Sequence, residues 1–455
     1  MHIPGLADAL PFGADSATPG GQPARMQELA YWLFSLSLAM GVVYRLPGIS
    51  ADVVRLLKPI LIVPAAGLVF ARALSAGRRP FPAGLLGPAG FAALAVLWIP
   101  GLARAASVTD AVDLMVDLTV SAAVFWCAYC IAVDNRREGA SNAVWLVLRR
   151  AFAAACVVAG VSLVHEAGSS GVWSAGPWRD RSFGGFGLGS SGWSVGLALF
   201  LPLAALFWTA HGNRRLAGLK FLAIAGAAVL LAGQFLSAGL SGILASTVTL
   251  GALTWRSSRR LALGIVVTVS AWIVLFCLGR SCSGALGFSE YVPWGDPATM
   301  VCTADQLTTR RLAGHYIAVE QLAETPLVGL GFGGFLLSSP DGVSIEVHNL
   351  WIRWALYTGI LAPLLLAAIA ARLMHIGWRA AHDPTRSVEV RHGISVLMLV
   401  LLAGLIVSQF EPSVPIGTTV SLVWWAAAGA LVGIATGGSG TSTPPASMRE
   451  FGTSG

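Results

Sequence analysis

The chain has 455 residues, 55% of them hydrophobic and only 11% charged, with a mean hydropathy of +0.72. Apolar runs of about 20 residues, the length that crosses a bilayer, recur along it, which excludes a soluble protein. The formal charge of +7 comes from 27 arginines and 2 lysines against 22 acids. With no basic patch interleaved by aromatics it reads as membrane topology rather than a nucleic-acid surface, and six scattered cysteines exclude a disulfide scaffold or a zinc site.

Residues 1–25 are rich in Gly, Pro and Ala and lack the basic and apolar regions of a signal peptide, so they are read as a flexible tail. A transmembrane domain is expected over 26–436 and a disordered Gly/Ser/Thr/Pro tail over 437–455. Twelve apolar segments are predicted within it, at 28–45, 52–74, 84–103, 110–133, 143–165, 191–211, 217–235, 237–255, 261–280, 348–372, 393–411 and 417–436. The fold class is therefore all-α and polytopic.

Alternate connections are basic: Arg78 and Arg79; Arg136 and Arg137; Arg214, Arg215 and Lys220; Arg256, Arg259 and Arg260; Arg379, Arg386 and Arg391. The positive-inside rule puts these connections, and both termini, in the cytoplasm. Two outer connections are long. One, about 166–190, holds Trp173, Trp178, Arg179, Asp180 and Arg181 before a glycine-rich SFGGFG. The other, about 281–347, is the only long hydrophilic stretch in the body of the chain, and long loops are commonly functional. Its apolar stripe through Leu312, Tyr316, Val319 and Leu322 predicts helix lying on the outer face.

The chain converges on 310–359. Two adjacent arginines, Arg310 and Arg311, open a helix-like run that closes at Pro326 and a glycine cluster. His348 and Asn349 then stand at the mouth of the tenth segment. A histidine at a helix end is commonly structural, but here an imidazole and outer-face arginines share one boundary. That arrangement suits general-base chemistry on an anionic substrate. Guanidinium binds phosphate bidentately, so Arg179, Arg181, Arg310 and Arg311 are the candidate pyrophosphate clamp.

Within the membrane segments, Asp110, Asp113 and Asp117 share a face of the fourth, and Arg55 and Lys58 lie at comparable depth on the second. Opposite signs at one depth predict an interhelical ion pair, Asp113 or Asp117 with Arg55 or Lys58. A transport path for ions or a lipid-linked glycan is the functional alternative. Cys127 and Cys130 form a CxxC inside an apolar segment, where cysteine acts as a small hydrophobe. Cys282 and Cys302 flank part of the outer loop, where a disulfide is possible. Trp351 and Trp354 read as interface-belt residues.

Together, RxxG at Arg181–Gly184, Arg311 with its following helix, PLVGLGFGGF, and His348–Asn349 with Thr358–Gly359 resemble the O-antigen ligase and polymerase superfamily. The resemblance covers about 180–365, and HN-to-TG with the preceding PxxGxG is its most specific part. It implies a bacterial inner-membrane enzyme that transfers a glycan from undecaprenyl-pyrophosphate to a periplasmic acceptor hydroxyl. That acceptor is lipid A–core in a ligase, or a growing glycan in a polymerase. It further implies that Arg181 and Arg311 hold the pyrophosphate and that His348 is the base, in an inverting reaction needing no metal or other cofactor. The chain departs from the pattern twice. SAGLSG at Ser237–Gly242 lacks the family's arginine, leaving Arg179, Arg280 or Arg310 to supply that charge. His315 stands where the family usually has Trp, and is a secondary candidate with Asn349.

Overall fold

The computed structural model describes residues 21–44, 46–105, 107–134, 143–169, 185–187, 189–208, 215–237, 239–255, 258–279, 311–332, 337–338, 344–345, 347–411 and 421–436. Among them are fourteen α-helices: α1 (Gly21–Ala39), α2 (Ala51–Ser75), α3 (Pro88–Ala103), α4 (Val108–Asp134), α5 (Ala143–Ser169), α6 (Gly189–Phe200), α7 (Arg215–Ser237), α8 (Leu240–Trp255), α9 (Arg259–Gly279), α10 (Arg311–Glu324), α11 (Leu350–Thr358), α12 (Leu361–Ala381), α13 (Val388–Val407) and α14 (Leu422–Thr436). The predicted outer-face helix is α10. Beside it, β1 (Leu337–Ser338) pairs antiparallel with β2 (Ser344–Ile345). The first helix begins at Gly21, inside the stretch expected to be tail.

Six helices, α2, α4, α5, α7, α12 and α13, are long and apolar enough to cross a membrane. Others are shorter. The 16 residues of α3 rise only ~24 Å against a hydrocarbon core of ~30 Å, and α6 tightens into a 3-10 helix over Leu201–Trp208.

The centre of the bundle is α14. It is apolar on every side, and a helix of that kind is stable only when surrounded. Every residue from Leu422 to Ile434 is buried. Its main neighbour is α4, against which Gly429 and Gly433 bring the two backbones close. Trp425 meets Phe91 and Phe125 at centroid distances of 5.4 and 6.0 Å.

The two ends differ chemically. At one, arginines tie helix ends together: Arg72 and Arg78 on Asp134, Arg150 on Glu28, and Arg149 on the Leu206 carbonyl. Arg386 donates to the carbonyls of Ile434 and Ala435, at 2.9 and 2.7 Å, and to Asp383 at 3.1 Å. It thus closes the C-terminus of α14, whose last carbonyls have no helical donors. Asp383 also accepts from the hydroxyl and the amide of Thr385, and these hydrogen bonds hold its carboxyl below the usual range. Arg386→Ala should lower the stability of the folded protein by on the order of 2 kcal/mol, since two carbonyls lose a charged donor. Thermal unfolding in detergent measures it, and Arg386→Lys should recover only part, because one ammonium cannot span both carbonyls as the planar fork does.

Candidate functional site at the opposite end

His348 lies at the other end of the bundle, and its position follows from local rules. Asn349 has extended backbone, φ −126° and ψ 120°, and its side-chain oxygen accepts from the Ile352 amide at 3.1 Å. It is therefore the N-cap that starts α11. Its amide nitrogen donates to the Gln409 carbonyl at 3.2 Å. Leu350 donates to the Ser408 carbonyl at 2.9 Å, and the Trp351 indole donates to the Ser408 hydroxyl at 3.1 Å. These bonds stitch 349–351 to the end of α13 and fix the residue before the cap, His348.

The same stitching brings up a carboxylate. Glu411 leaves α13 with its amide still bonded to Val407, at 2.9 Å, and is buried. Its Oε1 accepts a hydrogen bond from the Ser191 hydroxyl on α6, and its Oε2 stands 4.0 Å from Nδ1 of His348. The His348 side chain is 33% exposed and that of Glu411 10%, so the imidazole reaches solvent while the acid is enclosed. The starts of α6 and α11 and the end of α13 thus meet here. Neither Glu411 nor Ser191 was singled out from sequence. An acid as the last residue of an apolar segment was a visible signal, but its partners lie 63 and 220 positions away.

The glycine motifs have a structural role. Gly359, at φ 82°, breaks the tenth segment into α11 and α12, a break absent from the hydropathy pattern. The loop over 326–332 docks into it. Leu330 and Gly331 donate to the carbonyls of Leu356 and Tyr357, and Ile360 donates to that of Pro326. A Cβ at Gly359 would sit 2.1 Å from the Leu327 carbonyl oxygen, and one at Gly331 2.3 Å from that of Arg104. Both positions therefore need glycine for close approach as well as for positive φ. PLVGLG and TG are two halves of one contact. Arg104 joins it by donating to the Gly329 carbonyl at 2.9 Å, and it is an exposed cation at this end that sequence reading overlooked.

The buried face of α10 runs through Ile317, Ala318 and Leu322, which pack with Val347, Ile352 and Leu356, whereas Val319 is 54% exposed. Of the predicted stripe, Leu322 packs here and Val319 does not, and the side chains of Leu312 and Tyr316 lie outside the described residues. Trp354 is a core residue and not a belt residue: it is buried and stacks on Trp98 at a centroid distance of 4.3 Å.

Of the other candidates, His315 is half-buried on α10 with its Nε2 shielded from solvent. Arg179, Arg181, Arg280 and Arg310 lie outside the described residues, as do Cys282 and Cys302, and of Arg311 only the backbone is described. Gly185 and Gly187, from SFGGFG, press on Trp193, where a Cβ would come within 2.5 and 2.8 Å of its atoms. On α2, Lys58 is fully buried, and Asp113 and Asp117 are half-buried on the adjoining α4; none of the three is without a partner. The side chains of Arg55 and Asp110 lie outside the described residues. Cys127 and Cys130 are buried free thiols, as a small-hydrophobe role predicts. A cleft of about 700 Å³ opens between α2, α3 and α4, lined by Pro59, Val63, Leu102, Val112, Met115 and Val116 among others, and is apolar and separate from His348.

The arrangement defines a multi-pass, helical membrane protein with a solvent-reaching histidine and a buried carboxylate at the end opposite the arginine ties described above. Neither the family models nor the curated proteins compared with this chain give a match.

Proposed function

We propose that this protein is a glycosyltransferase of the bacterial inner membrane. It takes a glycan from undecaprenyl-pyrophosphate and passes it to an acceptor hydroxyl on the periplasmic face. In this reading the chain crosses the membrane twelve times, both termini are cytoplasmic, and the end bearing His348 faces outward. The observation that carries it is the placement of His348, fixed by the Asn349 cap, half in solvent, with Nδ1 toward an enclosed carboxylate. In this reading Nε2 is the atom that takes the proton. The family-like motifs around it supply the substrate class.

The step is a single displacement. The acceptor oxygen bonds to the anomeric carbon, the bond from that carbon to the pyrophosphate oxygen breaks, and the electron pair leaves with the carrier. The acceptor proton passes to Nε2 of His348. Arg181 and Arg311, with Arg179 and Arg310, meet the negative charge that grows on the leaving pyrophosphate, the role a metal would otherwise fill. Inversion at the anomeric carbon follows from one displacement.

The test is transfer by the purified protein in liposomes containing an undecaprenyl-pyrophosphate-linked glycan. Lipid A–core is offered in one arm and a second carrier-linked glycan in the other. Transfer to the first marks a ligase, transfer to the second a polymerase, and transfer to neither overturns the reading. Within this assay Arg181→Ala and Arg311→Ala should each raise donor KM about 10- to 100-fold, the loss of one or two charge-assisted hydrogen bonds. Lysine at either position should restore only part, because it cannot bind bidentately. Added chelator should leave the rate unchanged.

A further inference from the structure

We propose that Glu411 is a positioning residue for His348, with Ser191 as the group that orients the carboxylate. The inference rests on the proposed role of His348 as base and extends it to two residues on other helices. Glu411 is one of only two acids among the described residues that are buried, the other being Asp134, which is neutralised by Arg72 and Arg78 at the basic end. Keeping a carboxylate enclosed beside a histidine is costly unless it is hydrogen-bonded and has work for its charge. The Ser191 hydroxyl holds Oε1, which leaves Oε2 turned toward Nδ1 at 4.0 Å.

That separation is longer than a hydrogen bond and becomes an ion pair only when the imidazole is protonated. Catalytic hydrogen bonds are often long before substrate binds and tighten in the reacting complex. A carboxylate on the Nδ1 side favours the tautomer with its proton on Nδ1, so that Nε2 presents a lone pair to the acceptor hydroxyl. Once Nε2 has taken the proton, the imidazolium faces Glu411 and is stabilised by it. Nothing covalent happens to Glu411, and its charge is unchanged through the step.

The experiment measures kcat and donor KM in the same liposome assay, counting transfer to either acceptor. Glu411→Gln keeps the volume and removes the charge. It should lower kcat about 100-fold, within the ~10²–10⁴ that a positioned general base contributes, and leave donor KM near the wild-type value. Glu411→Asp should recover part of the rate. In a His348→Ala background Glu411→Gln should add no further loss, because it acts only through the imidazole. A wild-type kcat in Glu411→Gln, or a full additional loss in the double variant, overturns the proposal. If Glu411→Gln does not fold, Ser191→Ala carries the test, since it leaves the acid in place but frees Oε1. A smaller fall in kcat is expected there, and no fall overturns the proposal. The two readings fail separately. Full transfer by His348→Ala sinks the base itself, whereas an inactive His348→Ala with an unaffected Glu411→Gln sinks only the role of Glu411.

Discussion

His348→Ala is expected to abolish glycan transfer while leaving the carrier-linked donor bound. The substitution removes the base and nothing from the phosphate clamp, so the loss falls on kcat, by roughly 10²–10⁴-fold, with donor affinity retained. The fold should not notice. His348 precedes the helix, its side chain is 33% exposed, and the cap that starts α11 belongs to Asn349. Asn349→Ala makes the contrast. It strips the cap and the bond to Gln409, so it should cost about 1 kcal/mol of stability and misplace the histidine. Binding of donor, rate of transfer and melting temperature, measured on both variants, separate the two. Full transfer by His348→Ala would leave His348 a structural residue and end the proposed mechanism.

How much of this was legible differs from residue to residue. The apolar segments were readable because membrane burial imposes length and composition directly, and each has a helix close to its predicted place. The position of His348 at a segment boundary was readable for the same reason. The break at Gly359 was not: hydropathy is blind to a positive φ, and the loop that fills the break comes from some 30 residues upstream. Thr358 and Gly359 were noticed as a motif, but their physical meaning, a seat for the 326–332 loop, depends on a contact that no local pattern encodes. Glu411 was hidden in the same way, since burial of an acid is decided by what surrounds it. On α10, Leu322 packs where the stripe placed it, but Val319 faces out and Ala318, too small to mark a stripe, is buried in its stead.

One feature lay in plain view. Gly429 and Gly433 form a GxxxG in the last segment, a spacing that lets two membrane helices approach with backbones nearly in contact. Here the partner is α4. A Cβ on Gly429 would fall 1.9 Å from the Phe125 carbonyl oxygen, and one on Gly433 would fall 2.6 Å from Cβ of Ala132. Neither obstacle is the movable end of a long side chain, so the helices themselves must separate. Gly429→Ala should therefore cost about 3 kcal/mol, at the upper end of ordinary overpacking, and Gly429→Val should prevent folding. Gly433→Ala should cost less, since its gap is wider. Gly67→Ala is the control: nothing lies within 4 Å of that Cβ, and stability should stay within about 0.5 kcal/mol of the wild type or rise. Melting temperature in detergent and yield of monodisperse protein read all four. Because α14 is enclosed from Leu422 to Ile434, a Gly429→Ala protein as stable as the wild type would mean that α14 does not pack on α4 as described.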